Sequence, residues 1–209
     1  MRVVGFVQAI ERRRNVAERL SRMLSESDLD AHEVLYQAPG HGPWEHFWHV
    51  LETMAASDAE LVIRFEEDAL AGKHLKHNCV TWPVIRRPKF GCGWLYSSPA
   101  SILDYIYQQR LDNPSHKQHL DGSVAVLFWR KDLEWMIPAF RDWAKRCPWG
   151  YAYDFCISGV MREKGYELWC HDPPIVEHDR TVASGFGHNM MPECSTMGLW
   201  RPNYRRVAK

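Results

Sequence analysis

Apolar residues fall into short runs separated by stretches of helical periodicity, and the alternation persists through the first half of the chain. Val3 to Val7 is a first run, read as a buried strand, and Asn15 to Leu24 follows with apolar residues at 16, 20, 23 and 24, the spacing of one helix face. His32 to Tyr36 predicts a second strand. Residues 39–43, with two Gly and two Pro, read as a loop. Trp44 to Met54 then predicts a helix with Phe47, Val50, Leu51 and Met54 inward. Leu61, Val62, Ile63 and Phe65 form a run apolar on both faces, the mark of a strand in a parallel or mixed sheet covered by helices.

Beyond it the pattern predicts a polar stretch over 71–78, a strand at 91–96, and a helix opened by Ser98 and Pro99 and running to about Gln109. A loop spans 112–121, and Val124 to Trp129 is a strongly apolar strand. Lys131 to Lys145 is helical, and Pro138 inside it should kink or split it. Tyr151 to Glu163 is a further helix closed by Gly165, with short strands at 166–170 and 175–177. No repeat, low-complexity segment or linker interrupts residues 1–209. The expectation is one α/β domain with a mixed, mostly parallel sheet flanked by helices.

The double-faced run ends abruptly in Glu66, Glu67 and Asp68. In open α/β sheets ligands gather beyond the carboxyl ends of strands. Three adjacent carboxylates there repel one another unless a cation neutralises them, and clustered carboxylate oxygens suit Mg²⁺ or Mn²⁺. The other reading is a solvated turn with acids at the N-terminus of a following helix.

Composition narrows the partners. The 209 residues are 45% hydrophobic and 25% charged, ordinary for a globular domain, with ten Trp and a formal net charge of zero. That balance offers no overall field for nucleic acid or membrane. Locally, Arg12 to Arg14, Arg86 to Lys89 and Arg201 to Arg206 are basic clusters that would line a polyanion path if the fold gathered them. The six Cys contain no Cys-x-x-Cys pair, which points to reduced thiols and a cytoplasmic protein rather than a zinc ribbon. The pairs His46/His49, His74/His77 and His116/His119 have one-face spacing, but no Cys pair accompanies them. Trp82, Trp149 and Trp200 sit near Pro or Gly and are candidates for stacking on a sugar or base. No apolar run reaches the ~20 residues of a membrane span, so membrane insertion is not expected.

Four local patterns, in this order, resemble GT-A type glycosyltransferases: Phe6 to Arg14, the acidic triplet Glu66 to Asp68, Ser123 to Lys131, and Asp154 to Gly165. The late segments Pro174 to His178 and Ser184 to Gly187 resemble that family's Pro-x-Leu-Val-x-His element and Ser-Gly turn. The resemblance implies a Mn²⁺- or Mg²⁺-dependent enzyme that moves a sugar from a nucleoside-diphosphate sugar to an acceptor hydroxyl. Asp68, Glu66 and His178 would serve the metal, and Gln8, Arg12, Arg13, Glu66, Glu67 and Ser184 the donor.

Alternatives stay open at several of these positions. His178 is either a metal ligand, a donor to the diphosphate or a structural histidine. Asp154 is either the base that takes the acceptor's proton or a helix cap. Ser184 lies in a turn that either presents N–H groups to phosphate or simply reverses the chain. At most two of the three N-terminal arginines can face inward. The acceptor is a glycan, or a hydroxymethylated base in DNA of the kind bacterial viruses carry. The rivals are a metal-dependent nucleotidyltransferase or phosphohydrolase, a nucleic-acid-binding module, and a catalytically inactive glycosyltransferase-like protein.

Overall fold

The computed structural model describes residues 1–96, 122–147, 153–171, 174–179 and 181–182. Its first half alternates strictly: β1 (Val3–Ala9), α1 (Arg14–Ser25), β2 (Ala31–Tyr36), α2 (Pro43–Ala56) and β3 (Leu61–Glu66). Then come β4 (Ala69–Ala71), α3 (Leu75–Thr81), β5 (Phe90–Trp94) and β6 (Ala125–Trp129). The last elements are α4 (Leu133–Arg146), α5 (Tyr153–Lys164), β7 (Glu167–Cys170) and β8 (Val176–His178). The helix expected from Ser98 to Gln109 lies outside the described residues.

Six strands form one sheet in the order β2-β1-β3-β6-β5-β7. β1 is parallel to both β2 and β3, and β5 to β7, while β6 runs antiparallel to β3 and β5. The sheet is therefore mixed and mostly parallel, as the apolar pattern predicts. Strand order reverses at β1, with β2 on one side and β3 on the other. A crevice opens beyond the carboxyl ends at such a switch point, and Arg13 and Asp68 follow those two ends.

Period-two alternation sorts each central strand between two cores. Val4, Phe6 and Val62 pack with Phe47, Leu51 and Ile157 on the α2–α5 face. Val3, Val7, Ile63 and Phe65 pack with Leu20, Leu24 and Leu75 on the α1–α3 face. By the same alternation Gln8 and Arg64 face the first core, two residues apart in register.

Three local outcomes differ from the pattern. The stretch expected to be merely polar, 71–78, takes in the end of β4 and the start of α3, because Leu75, Asn78 and Cys79 recur at helical spacing and are buried. Pro138 neither splits nor ends α4: the helix continues through it while Leu133, Met136, Ile137 and Phe140 are buried against the core. Trp82 is not a loop platform. It is 2% exposed, and its ring fills the space beside Gly93, where an added Cβ would stand 2.4 Å from it.

Candidate active site

β3 delivers its acids through a continuous path. Glu66 is the last residue of the strand, Glu67 and Asp68 make the turn, and the chain re-enters extended structure as β4. β4 pairs antiparallel with β8, setting Ala69 opposite His178, and the Asp179 amide donates to the Asp68 carbonyl at 2.8 Å. That two-strand ribbon carries His178, 110 positions further along the chain, to the acidic turn. His178 Nε2 lies 3.2 Å from Asp68 Oδ2.

The first strand supplies the opposing charge. A 3₁₀ turn at Glu11–Arg13 follows β1 and aims the Arg13 guanidinium at the acids. Its Nη1 is 2.8 Å from Glu67 Oε1 and its Nη2 is 2.8 Å from Asp68 Oδ2. Arg14 turns the other way, forking onto Glu11 at 2.7 and 2.8 Å and lying over the Tyr36 ring. Arg12 is exposed at the cavity wall.

Electrostatics follow from burial and pairing. Burial alone would raise the Asp68 carboxyl, but the His178 and Arg13 contacts overcome it and hold the group below the usual carboxylate range. Burial also opposes a charged His178, yet its hydrogen bond to Asp68 raises it above the usual imidazole value. Glu67 is pushed up to about 7, burial outweighing the Arg13 charge.

A fully buried arginine organises the wall beneath. Arg64, 0% exposed, donates from Nε to Gln8 Oε1 at 2.7 Å, from Nη1 to the Ser123 carbonyl at 2.8 Å and from Nη2 to Glu66 Oε1 at 3.3 Å. Its guanidinium lies 5.2 and 5.0 Å from the Phe47 and Tyr153 ring centroids. Ser123 Oγ donates to Glu66 Oε1 at 2.6 Å. The motif reading passed over Arg64, although an Arg flanked by Ile63 and Phe65 in a doubly buried strand requires partners.

These groups border one cavity of about 780 Å³, lined by Gln8, Arg12, Arg13, Glu66, Glu67, Asp68 and His178 among others. Its remaining wall includes Ala38, Pro39, Gly40 and Pro43, from the loop before α2. Seven of the nine expected site residues thus share one space. Asp154 does not line it. That carboxylate accepts from the Gly122 amide at 2.8 Å and from the Phe155 amide at 2.9 Å, and Gly122 and Tyr153 beside it do reach the cavity. Ser184, Trp149, Trp200, His116 and His119 lie outside the described residues.

The donor set suits a hard or borderline divalent ion, with a carboxylate and an imidazole adjacent. Asp68 Oδ1 is buried without a hydrogen-bond partner among the described residues, as an oxygen reserved for a ligand would be. The described residues gather no ready cluster of three His, Cys, Asp or Glu ligands. Arg13 occupies Glu67 and shares Asp68, so remaining ligands would have to come from substrate, water or a released carboxylate. His46 does not join a metal cluster: burial pushes it down to about 4, and its ring bonds the Ala9 carbonyl.

The six-strand order, the reversed β6, and an acidic turn joined to a late histidine define the GT-A glycosyltransferase fold. Solved structures bear this out. The galactosyltransferase LgtC, crystallised with donor and acceptor sugar analogs, superposes with a TM-score of 0.57 over 92% of this chain and 90% of its own, at 11% identity. A glycosyltransferase involved in glycosylating the major capsid of PBCV-1 gives 0.59 over 87% and 94%, at 8% identity. The glycosyltransferase GlyE of Streptococcus pneumoniae TIGR4 gives 0.57 over 88% of this chain and 55% of its own, at 8% identity. No protein-family description matches the sequence, nor does any curated protein.

Proposed function

We propose that this chain transfers a sugar from a nucleoside-diphosphate sugar to an acceptor hydroxyl, with Mn²⁺ or Mg²⁺ at Asp68. One observation carries the reading. Arg13 Nε is a buried donor without a partner, and Asp68 Oδ1, on the neighbouring side chain, is a buried acceptor without one. A ligand that satisfies both brings an anion and a cation together, as a metal–diphosphate does.

When bound, the ion would supply Lewis-acid stabilisation of the charge developing on the departing diphosphate. The chain's own residues do the rest. Asp68 and His178 hold the ion, with Glu66 or Glu67 beside it. Arg13 and Arg12 meet the diphosphate oxygens. Gln8, fixed by Arg64, lines the donor side, and Ser184 is assigned to phosphate. Asp154 acts on the acceptor hydroxyl, as a base if transfer inverts the sugar and as an orienting group if it retains it.

A saccharide is the favoured acceptor. Hydroxymethylated DNA is second, since Arg12 to Arg14 follow the carboxyl end of β1 whereas Arg86 to Lys89 precede the amino end of the parallel-running β5. Those two clusters thus sit at opposite ends of the sheet. A cytoplasmic setting is supported by five free thiols among the described cysteines, four of them buried. Among the described residues no helix is long and apolar enough to cross a membrane.

The test is thermal stabilisation by a panel of sugar nucleotides with and without Mn²⁺. A metal-dependent rise with one nucleotide, lost in Asp68→Ala, supports the reading. No rise with any of them favours a binding module or an inactive relative. Product analysis with saccharide and hydroxymethylated DNA acceptors then separates the two acceptor classes.

A further inference from the structure

We propose that Arg13 is an exchangeable counter-ion: without donor it neutralises Glu67 and Asp68, and with donor it moves to the diphosphate, so that cation and nucleotide are taken up together. This inference rests on the sugar-nucleotide reading above.

The geometry makes the guanidinium and a metal ion rivals for one carboxylate, whose Oδ2 Arg13 holds and whose Oδ1 has no hydrogen-bond partner among the described residues. Asp68 Oδ2 already faces Arg13 Nη2 at 2.8 Å and His178 Nε2 at 3.2 Å. A Mg²⁺–carboxylate bond is about 2.0–2.1 Å long. An ion at that oxygen would stand against a guanidinium of the same sign, and His178 would have to offer it a lone pair rather than a proton. An ion on either oxygen of this carboxylate would stand beside a guanidinium of the same sign, so withdrawal of Arg13 favours its binding.

Arg13 is also the arginine at the acidic turn that is free to leave. Arg64 is locked by three hydrogen bonds and complete burial. Arg14 is tied to Glu11 on the other side of the turn. Arg13 is held through its two terminal nitrogens, while its buried Nε lacks an acceptor. Its side chain borders the same cavity as Arg12, where a diphosphate would offer the missing acceptor without a change of backbone. Exchange of partners leaves each group satisfied: the acids gain the ion and the guanidinium gains phosphate oxygens. By linkage, each ligand then strengthens uptake of the other.

The experiment measures Mn²⁺ binding to the full chain by electron paramagnetic resonance of the free ion, for wild type, Arg13→Met and Arg13→Lys. With Mn²⁺ alone, Arg13→Met should bind at least tenfold tighter than wild type, about 1.4 kcal/mol, with Arg13→Lys between them. Adding UDP or GDP should tighten wild-type Mn²⁺ binding more than that of Arg13→Met. Melting curves check folding, and Arg13→Lys carries the test if Arg13→Met does not fold. Equal or weaker Mn²⁺ binding in Arg13→Met overturns the inference. If neither protein binds Mn²⁺ but sugar nucleotides still raise the wild-type melting temperature in chelator, the exchange fails and the transferase reading stands. If neither Mn²⁺ nor any nucleoside diphosphate has an effect, both fall.

Discussion

His178 and Asp68 ionise in opposite directions across a 3.2 Å contact, the imidazole raised and the carboxyl lowered. The pair therefore has a pH window. The raised imidazole contributes stability that is complete below its ordinary value of about 6.5 and is lost as pH climbs through the higher folded value. The lowered carboxyl contributes stability present above its ordinary value of about 3.8 and lost as pH falls through the lower folded value. The melting-temperature advantage of wild type over His178→Gln should thus be greatest between about pH 4 and 6.5 and shrink above it. An advantage that grows toward pH 9 would contradict this assignment.

The same proton competes with metal. Mn²⁺ affinity should rise with pH as His178 becomes neutral, and the rise should be absent over that range in His178→Gln. Titrations at a series of pH values read it directly.

Asp68→Asn removes the anionic oxygens that Arg13 and His178 face. Transfer is expected to fall by at least about 100-fold, since charge on the leaving diphosphate loses its stabilisation. Turnover and a melting curve on the same preparation check this. Wild-type turnover undiminished by excess chelator would sink the metal role.

Asp154→Asn tests the acceptor side. A general base lost should lower kcat by about 10²–10⁴-fold, while the remaining amide oxygen still accepts from Gly122 or Phe155. Lost stability with unchanged kcat would leave Asp154 a cap and tether alone.

Arg64→Met should destabilise the fold by about 3–5 kcal/mol, because it removes the donors to Gln8 Oε1 and the Ser123 carbonyl and leaves Glu66 without its cation. The urea midpoint reports it. A loss below 1 kcal/mol would mean that the network relaxes around the gap.

Much of this architecture is legible in the residues because local pattern and burial agree. Leu61, Val62, Ile63 and Phe65 are apolar on both faces, and the strand is covered on both faces. The acidic triplet reads as an anionic strand end for the same reason. What the pattern hides is set by contacts distant in the chain. β4 is too short to carry periodicity and exists because β8 pairs with it. Trp82 looks like a loop residue until Gly93 leaves a hollow for its ring. Three consecutive arginines are equivalent as letters, and only the turn after β1 separates an inward Arg13 from an outward Arg14.

The β4–β8 ribbon also sets an order of events during synthesis. The acidic turn and Arg13 emerge early, whereas His178 emerges after all six strands of the main sheet and after α4 and α5. Arg13 and the carboxylates it neutralises in the fold are thus all present in the chain before the imidazole is. The imidazole that would complete a metal grip follows Asp68 by 110 positions, and the late β4–β8 pairing is what joins the two.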